Sequence, residues 1–260
     1  MKTLFEGKVG VFLVLLLGTL LVLVWLDYLD RDFSYHDILV ESHGLAFDLL
    51  VFGAVITYYE IKKHKEEKTV SQANEREASI KRYKEEISDY RFWKSDESYY
   101  RTRGLIKRLV DLDVTELDLS HCYLKGEFSF STYDRMIGWR FSAADLEGAF
   151  FLQSNMSNSH FYLTNLKNAT FTTVNLDGSA FDDSNLLNTK FNNCNLDNTS
   201  FRDAVISDIN WFETLEAAGN KGVEDLREKY KLETYVELNN DTYNKPKLYR
   251  LIRKVEFSLY

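Results

Sequence analysis

The stretch Phe161-YLTN-Leu166-KNAT-Phe171-TTVN-Leu176-DGSA-Phe181 puts a large apolar residue at every fifth position. The same register extends in both directions without a break: Phe141, Leu146, Phe151, Met156, Phe161, Leu166, Phe171, Leu176, Phe181, Leu186, Phe191, Leu196, Phe201, Ile206 and Trp211. A second series lies two residues before each of these. From Ala144 through Ser154, Ser159, Thr164 and Ser179 to Ala204 its members are small, with Trp139 and Ile209 at the ends.

An α-helix turns about 100° per residue, so a five-residue step scatters side chains around the cylinder and cannot make a stripe. A flat strand fails too, because its side-chain period is two and an odd step alternates faces. The chain must turn a corner in every repeat. Within one short edge the small and the large position share a face by strand alternation, so both point inward and the remaining three residues face solvent.

The repeats Ala144-Asp145-Leu146, Ser154-Asn155-Met156, Thr164-Asn165-Leu166, Ser184-Asn185-Leu186 and Cys194-Asn195-Leu196 resemble the pentapeptide-repeat family. The resemblance implies an all-β, right-handed quadrilateral β-helix with four repeats, or twenty residues, per coil. Phe and Leu alternate, so such a coil would stack Phe141, Phe161, Phe181 and Phe201 on one side and Leu146, Leu166, Leu186 and Ile206 on the next. At the spacing of paired strands, fifteen repeats give about four coils on the order of 19 Å long. Asn155, Asn175 and Asn195 should stack on one outer face and Asn165 and Asn185 on another, bonding amide to amide as a structural ladder. Leu119 and Leu124 are out of phase with Phe141, which implies an insertion around residues 125–138.

Outward from the repeats, residues 62–112 form a charged connector. Its composition, fourteen Lys or Arg and ten Asp or Glu between 60 and 110 with no Pro, favours a long helix. Ile80, Tyr83, Ile87 and Tyr90 make a narrow stripe, compatible either with a short coiled-coil seam between copies or with packing on the following domain. Ser95 before Asp96 and Glu97 reads as the cap of a second helix to about Val110.

Before the connector, Val9 to Leu26 is uncharged, and Gly44 to Ile61 is broken only by Asp48. The lengths suggest two membrane spans, about 9–28 and 44–61, in a hairpin over 1–61. A signal peptide is disfavoured because the apolar run is long and no small-residue cleavage site follows it. Lysines flank the outer ends (Lys2, Lys8, Lys62, Lys63, Lys65), and the loop between carries Asp27, Asp30, Asp32, Asp37 and Glu41. That distribution would place both termini in the cytoplasm of a bacterial inner membrane. Asp48, a membrane carboxylate on this reading, falls about 6 Å into its helix, within reach of the interface.

The β-helix is expected over 113–211 and a C-terminal cap, helical from Glu213 to Leu238, over 212–260. The net charge of −8 argues against general nucleic-acid binding. The five histidines and two cysteines are scattered, so no metal, cofactor or disulfide framework is expected. Neither a nucleophile–base pair nor a phosphate-binding loop can be assembled, so no catalysis and no small-molecule substrate are expected.

The expected function is a membrane-tethered protein-interaction or scaffold module, in contact with the lipid bilayer and with a cytoplasmic protein or another copy of itself. An oligomerising membrane effector is the alternative. A third reading comes from resemblance to the DNA-mimicking pentapeptide-repeat proteins that bind gyrase, which would make the chain a gyrase regulator, and the eight acids against three bases between Phe141 and Asn210 support it.

Overall fold

A five-residue repeat that turns once per repeat needs one residue per turn in the left-handed region, and that demand organises the whole solenoid. In the computed structural model, which describes residues 14, 17, 18, 21, 22, 24, 25, 28, 35–126, 129, 130, 135–235 and 247–254, every fifth residue from Gly138 to Asp203 has positive φ. Ten of these fourteen corner residues are Gly, Asn or Asp, the types that adopt this conformation at least cost. The exceptions are Ala143, Gln153, Leu163 and Thr173.

Between corners the chain pairs in parallel with the coil twenty residues away. Arg140 bridges His160, Asp145 bridges Asn165, Asn155 bridges Asn175, and Phe150–Leu152 pairs with Thr170–Thr172. Four such contacts per coil make a four-sided helix. One side is regular enough to form named strands, β1 (Phe150–Leu152), β2 (Thr170–Thr172) and β3 (Lys190–Asn192), in a parallel sheet of order β1-β2-β3.

All fifteen large register residues are buried. The phenyl rings form two columns. Phe141, Phe161, Phe181 and Phe201 stack at 5.0, 4.5 and 5.0 Å between centroids. Phe130, Phe151, Phe171 and Phe191 stack at 4.6, 4.4 and 5.0 Å. The columns meet edge to face, as in the 5.9 Å contact of Phe161 with Phe171, so each ring has the two arrangements aromatic pairs favour. The small inward residues have a second task. Ser159, Thr164, Ser179 and Thr189 each donate to the carbonyl twenty-three residues back, at 2.9, 2.7, 2.8 and 2.8 Å.

The coil begins ahead of the unbroken register, within the expected 113–211. Asp118 and Tyr123 bridge residues 22 positions ahead, Ser129 one 21 ahead and Arg135 one 20 ahead. The expected insertion is therefore two single residues, one on each of two successive sides. Leu119, Leu124, Phe130 and Met136 are the core residues of this first coil, all 0% exposed.

Helix α1 (Tyr35–Asp89) is continuous for 55 residues and is followed by α2 (Asp96–Asp111). The chain divides by contacts into Met1–Glu75 and Arg76–Tyr260, so α1 begins in one unit and ends in the other. In the second unit α2 lays Leu105, Ile106 and Leu109 into the core. Ser95 and Ser98 form a reciprocal cap at its start.

The membrane hairpin and the multi-pass inner-membrane location are overturned: among the described residues no helix is long and apolar enough to cross a membrane. The span at 9–28 lies for the most part outside the described residues. Within α1, eleven uncharged residues separate Asp48 from Glu60, a length of about 16 Å against the roughly 30 Å of a bilayer core.

The C-terminal cap differs from an all-helical one. Short helices α3 (Trp211–Ala217) and α4 (Val223–Lys229) are followed by β5 (Tyr230–Tyr235) and β6 (Leu248–Arg253). Strand β6 pairs antiparallel with β5 and with β4 (Val205–Ile206) of the last coil. The open ladder of that coil offers amides and carbonyls, and a strand satisfies them where a helix cannot. Gly222 presses so closely on the coil that a Cβ there would lie 2.7 Å from the Asp197 amide nitrogen. Asn220 closes the adjacent edge, donating to the Phe191 and Leu215 carbonyls and accepting from the Cys194 amide.

Candidate interaction surface

With the core filled by apolar side chains and by hydroxyls that, Ser154 apart, bond to backbone, the chemistry available to a ligand lies on the four outer sides. Two sides carry amide ladders. Asn175 donates to Asn155 and Asn195 to Asn175, both at 3.2 Å, while Asn165 donates to Asp145 at 2.8 Å and Asn185 to Asn165 at 3.1 Å. Each acceptor oxygen also takes the amide two residues on, as Asn165 does from Lys167 at 3.3 Å. These amides are committed to the fold.

Ion pairs occupy further outer positions. Glu147 sits between Lys125 at 2.8 Å and Lys167 at 4.0 Å, and the hydrogen bond from Lys125 holds its carboxyl below the usual range. Asp182 pairs with Arg202 at 3.5 Å. At the N-terminal end Arg91 binds Asp118 at 3.0 Å. Partial burial raises the Asp118 carboxyl, but hydrogen bonds from Ser120 and the Arg91 guanidinium outweigh it, leaving the group below its ordinary value. All eight acids between Phe141 and Asn210 are half-buried, Glu147 and Asp182 are also paired, and among the described residues no unbroken acidic side runs along the coils.

The β1-β2-β3 side is different. Alternation turns Phe151, Phe171 and Phe191 inward, and leaves Phe150 46% and Leu152 39% exposed next to each other. Thr170 and Thr172 of β2 follow in register beside them, then Lys190 and Asn192 of β3. This is a pleated surface with two apolar side chains, two hydroxyls and one charge. The expectation that all three non-core residues of a repeat meet solvent missed the apolar pair, although Phe150-Phe151-Leu152 already stood out in the sequence.

The sequence also pointed to residues outside the large apolar series. Ile87 and Tyr90 are buried and Ile80 and Tyr83 half-buried, all four packed on the core of the same chain. Asp48 is exposed on α1. Cys122 and Cys194 are buried free thiols, and desolvation pushes Cys122 up to about 12. Among the described residues no three His, Cys, Asp or Glu side chains converge as metal ligands.

Residues 144–219 match the family model described as a pentapeptide repeat region. The coiled domain is a pentapeptide-repeat domain. No curated protein matches the chain. Among solved structures, the pentapeptide-repeat domain is similar to that of HetL, a pentapeptide repeat protein involved in heterocyst differentiation regulation from the cyanobacterium Nostoc sp. strain PCC 7120. The identity is 18%, over 35% of this chain and 50% of that one, with a TM-score of 0.24. Rfr23 from the cyanobacterium Cyanothece 51142 is 17% identical over 33% and 55% of the two chains, with a TM-score of 0.16. QnrB1, a plasmid-mediated fluoroquinolone resistance protein, is 11% identical over 40% and 55%, with a TM-score of 0.15. The chain spans about half the length of each of these.

Proposed function

We propose that this chain is a non-enzymatic protein-interaction module that offers the β1-β2-β3 side of its pentapeptide-repeat domain to a protein partner. The observation that carries the reading is the pair Phe150 and Leu152, held exposed side by side on a rigid parallel ladder. Exposed apolar neighbours on an ordered surface, rimmed by hydroxyls and amides, are the usual centre of a protein contact. The strand that carries them is held by the ladder and by the inward Phe151 stacked on Phe130 and Phe171, so little backbone ordering entropy is lost on binding.

The test compares the intact chain with the double variant Phe150→Glu, Leu152→Glu as immobilised baits. Both substitutions point outward, so far-UV circular dichroism should not change. Proteins retained by the native chain should be lost from the variant. Identical retained sets would remove this surface from consideration.

A further inference from the structure

Strand β5 is the open edge of the cap sheet. The sheet order is β4-β6-β5, so β6 occupies one side of β5 and, among the described residues, nothing occupies the other. Its register with β6 runs from Tyr230 opposite Arg253 to Tyr235 opposite Leu248, and one step before it the Lys254 amide donates to the Lys229 carbonyl at 2.8 Å. In an antiparallel ladder, residues that exchange bonds with a neighbour alternate with residues whose amide and carbonyl point the other way. Lys229, Lys231 and Glu233 therefore bond to β6. The Leu232 and Thr234 amides and carbonyls, with the Tyr230 carbonyl, face the open edge; the Tyr230 amide is already used by the Leu226 carbonyl of α4.

We propose that this edge pairs with the same edge of a second copy, antiparallel and centred on Leu232. The inference deepens the interaction-module reading by naming one partner, at residues distinct from Phe150 and Leu152. Under a two-fold axis through that centre Leu232 faces its own mate and Thr234 faces Tyr230. The two Leu232 residues exchange both bonds, and each Thr234 amide donates to a Tyr230 carbonyl. All the outward groups used by this pairing have a partner except the Thr234 carbonyl, which would meet the committed Tyr230 amide.

The side chains fit the same centre. Lys231 and Glu233 are exposed, lie on one face of β5, and already attract each other at 2.6 Å. In the pair Lys231 of each copy stands opposite Glu233 of the other, as directly opposed cross-strand ions, where opposite charges stabilise and like charges repel. Moving the centre to Lys231 or to Glu233 sets like charges against each other. The charge pattern thus selects one register of an isologous contact. A charged residue on an edge strand commonly blocks association; here the two charges are complementary to their own image.

Analytical ultracentrifugation of the full-length native chain, over a wide range of concentration, should show a reversible dimer. Lys231→Glu puts Glu opposite Glu twice and should weaken it by ~10-fold or more. Adding Glu233→Lys to that variant should restore native affinity. Thr234→Pro deletes only outward amides, leaves the β5–β6 ladder its bonds, and should also dissociate the dimer. A native chain that is monomeric throughout overturns the proposal, as does a dimer indifferent to Lys231→Glu or Thr234→Pro, or a charge swap that stays folded and fails to restore association. Each of these outcomes is separate from the Phe150→Glu, Leu152→Glu test, because a monomer can still capture a partner through β1-β2-β3.

Discussion

The middle coils and the two ends of the solenoid obey different rules. Between Arg135 and Ile206 a contact made once is made again twenty residues later, so each ring, hydroxyl and amide finds its own kind above and below. At the ends every contact is made once. Among the described residues of the middle coils, the Arg91–Asp118 pair, the Ser95 cap, the three bonds of Asn220 and the close approach of Gly222 to main chain have no counterpart. Repetition makes the middle tolerant of small imperfections, since a weak coil is held by two good neighbours. An end has a neighbour on one side only, and an uncapped ladder exposes unpaired backbone.

The largest effect should come from breaking the repetition at its centre. Phe171 is fully buried, stacked on Phe151 and Phe191 and met edge-on by Phe161 and Phe181. Phe171→Ala removes four ring contacts and leaves a cavity that rigid coils cannot close, so it should cost about 3–5 kcal/mol in denaturant unfolding. A loss below that of an ordinary surface substitution would mean that the coils collapse around the gap.

The ends should yield nearly as much from a single methyl group. Gly222 has φ of +81° and lies against the Leu196 and Asp197 backbone. Gly222→Ala meets main chain, which cannot rotate away, and should cost about 1–3 kcal/mol from overpacking with about 1–2 kcal/mol more from the left-handed conformation. Hydrogen exchange should then show early opening of α4 and of the Asn193–Asp197 coil while Phe141–Phe171 stays protected. Uniform loss of protection would instead mean that cap and coils unfold as one unit.

The same contrast decides what was legible in the sequence. Fifteen core positions could be read because Phe and Leu repeat often enough for the period to stand out against any single exception. Met136 lies five residues before Phe141 and was within reach of that reading, but Phe130 was hidden by two single-residue insertions that break the period without breaking the fold. The corner residues carry a signal in Gly, Asn and Asp, blurred by Leu163 and Thr173, because a turn needs a conformation and not one side chain. Strands β5 and β6 could not be paired from the sequence, since their register depends on the last coil and occurs once. Apolar density before residue 60 suggested spans, yet in α1 the uncharged run between Asp48 and Glu60 is only eleven residues, too short to cross. The exposed pair Phe150 and Leu152 became meaningful only when alternation around Phe151 was fixed.

Smaller effects separate two serines at equivalent inward positions. Ser159 donates to the Met136 carbonyl at 2.9 Å, whereas the buried Ser154 hydroxyl has no hydrogen-bond partner among the described residues. Ser159→Ala should lose about 1 kcal/mol, and Ser154→Ala should be neutral or gain up to about 1 kcal/mol, because removing an unsatisfied buried group relieves its desolvation penalty. Equal losses at both sites in thermal unfolding would show that the irregular coil supplies Ser154 with a partner after all.

The smallest change asks whether repetition also hides strain. Gln153, Thr173 and Asn193 occupy the same corner in three successive coils, at φ of +49°, +56° and +52°. The β-branched Thr pays most for that conformation, whereas Asn is among the side chains that adopt it most readily. Thr173 is exposed, and among the described residues its side chain has no hydrogen bond that Asn would remove. Thr173→Asn should therefore raise stability by a fraction of the roughly 1–2 kcal/mol that a left-handed residue costs, read as an upward shift of the unfolding midpoint. A fall would mean that the neighbouring coils hold this corner so firmly that local preference no longer counts, and the tolerance of the middle would then come from rigidity and not from the shared load of equivalent contacts.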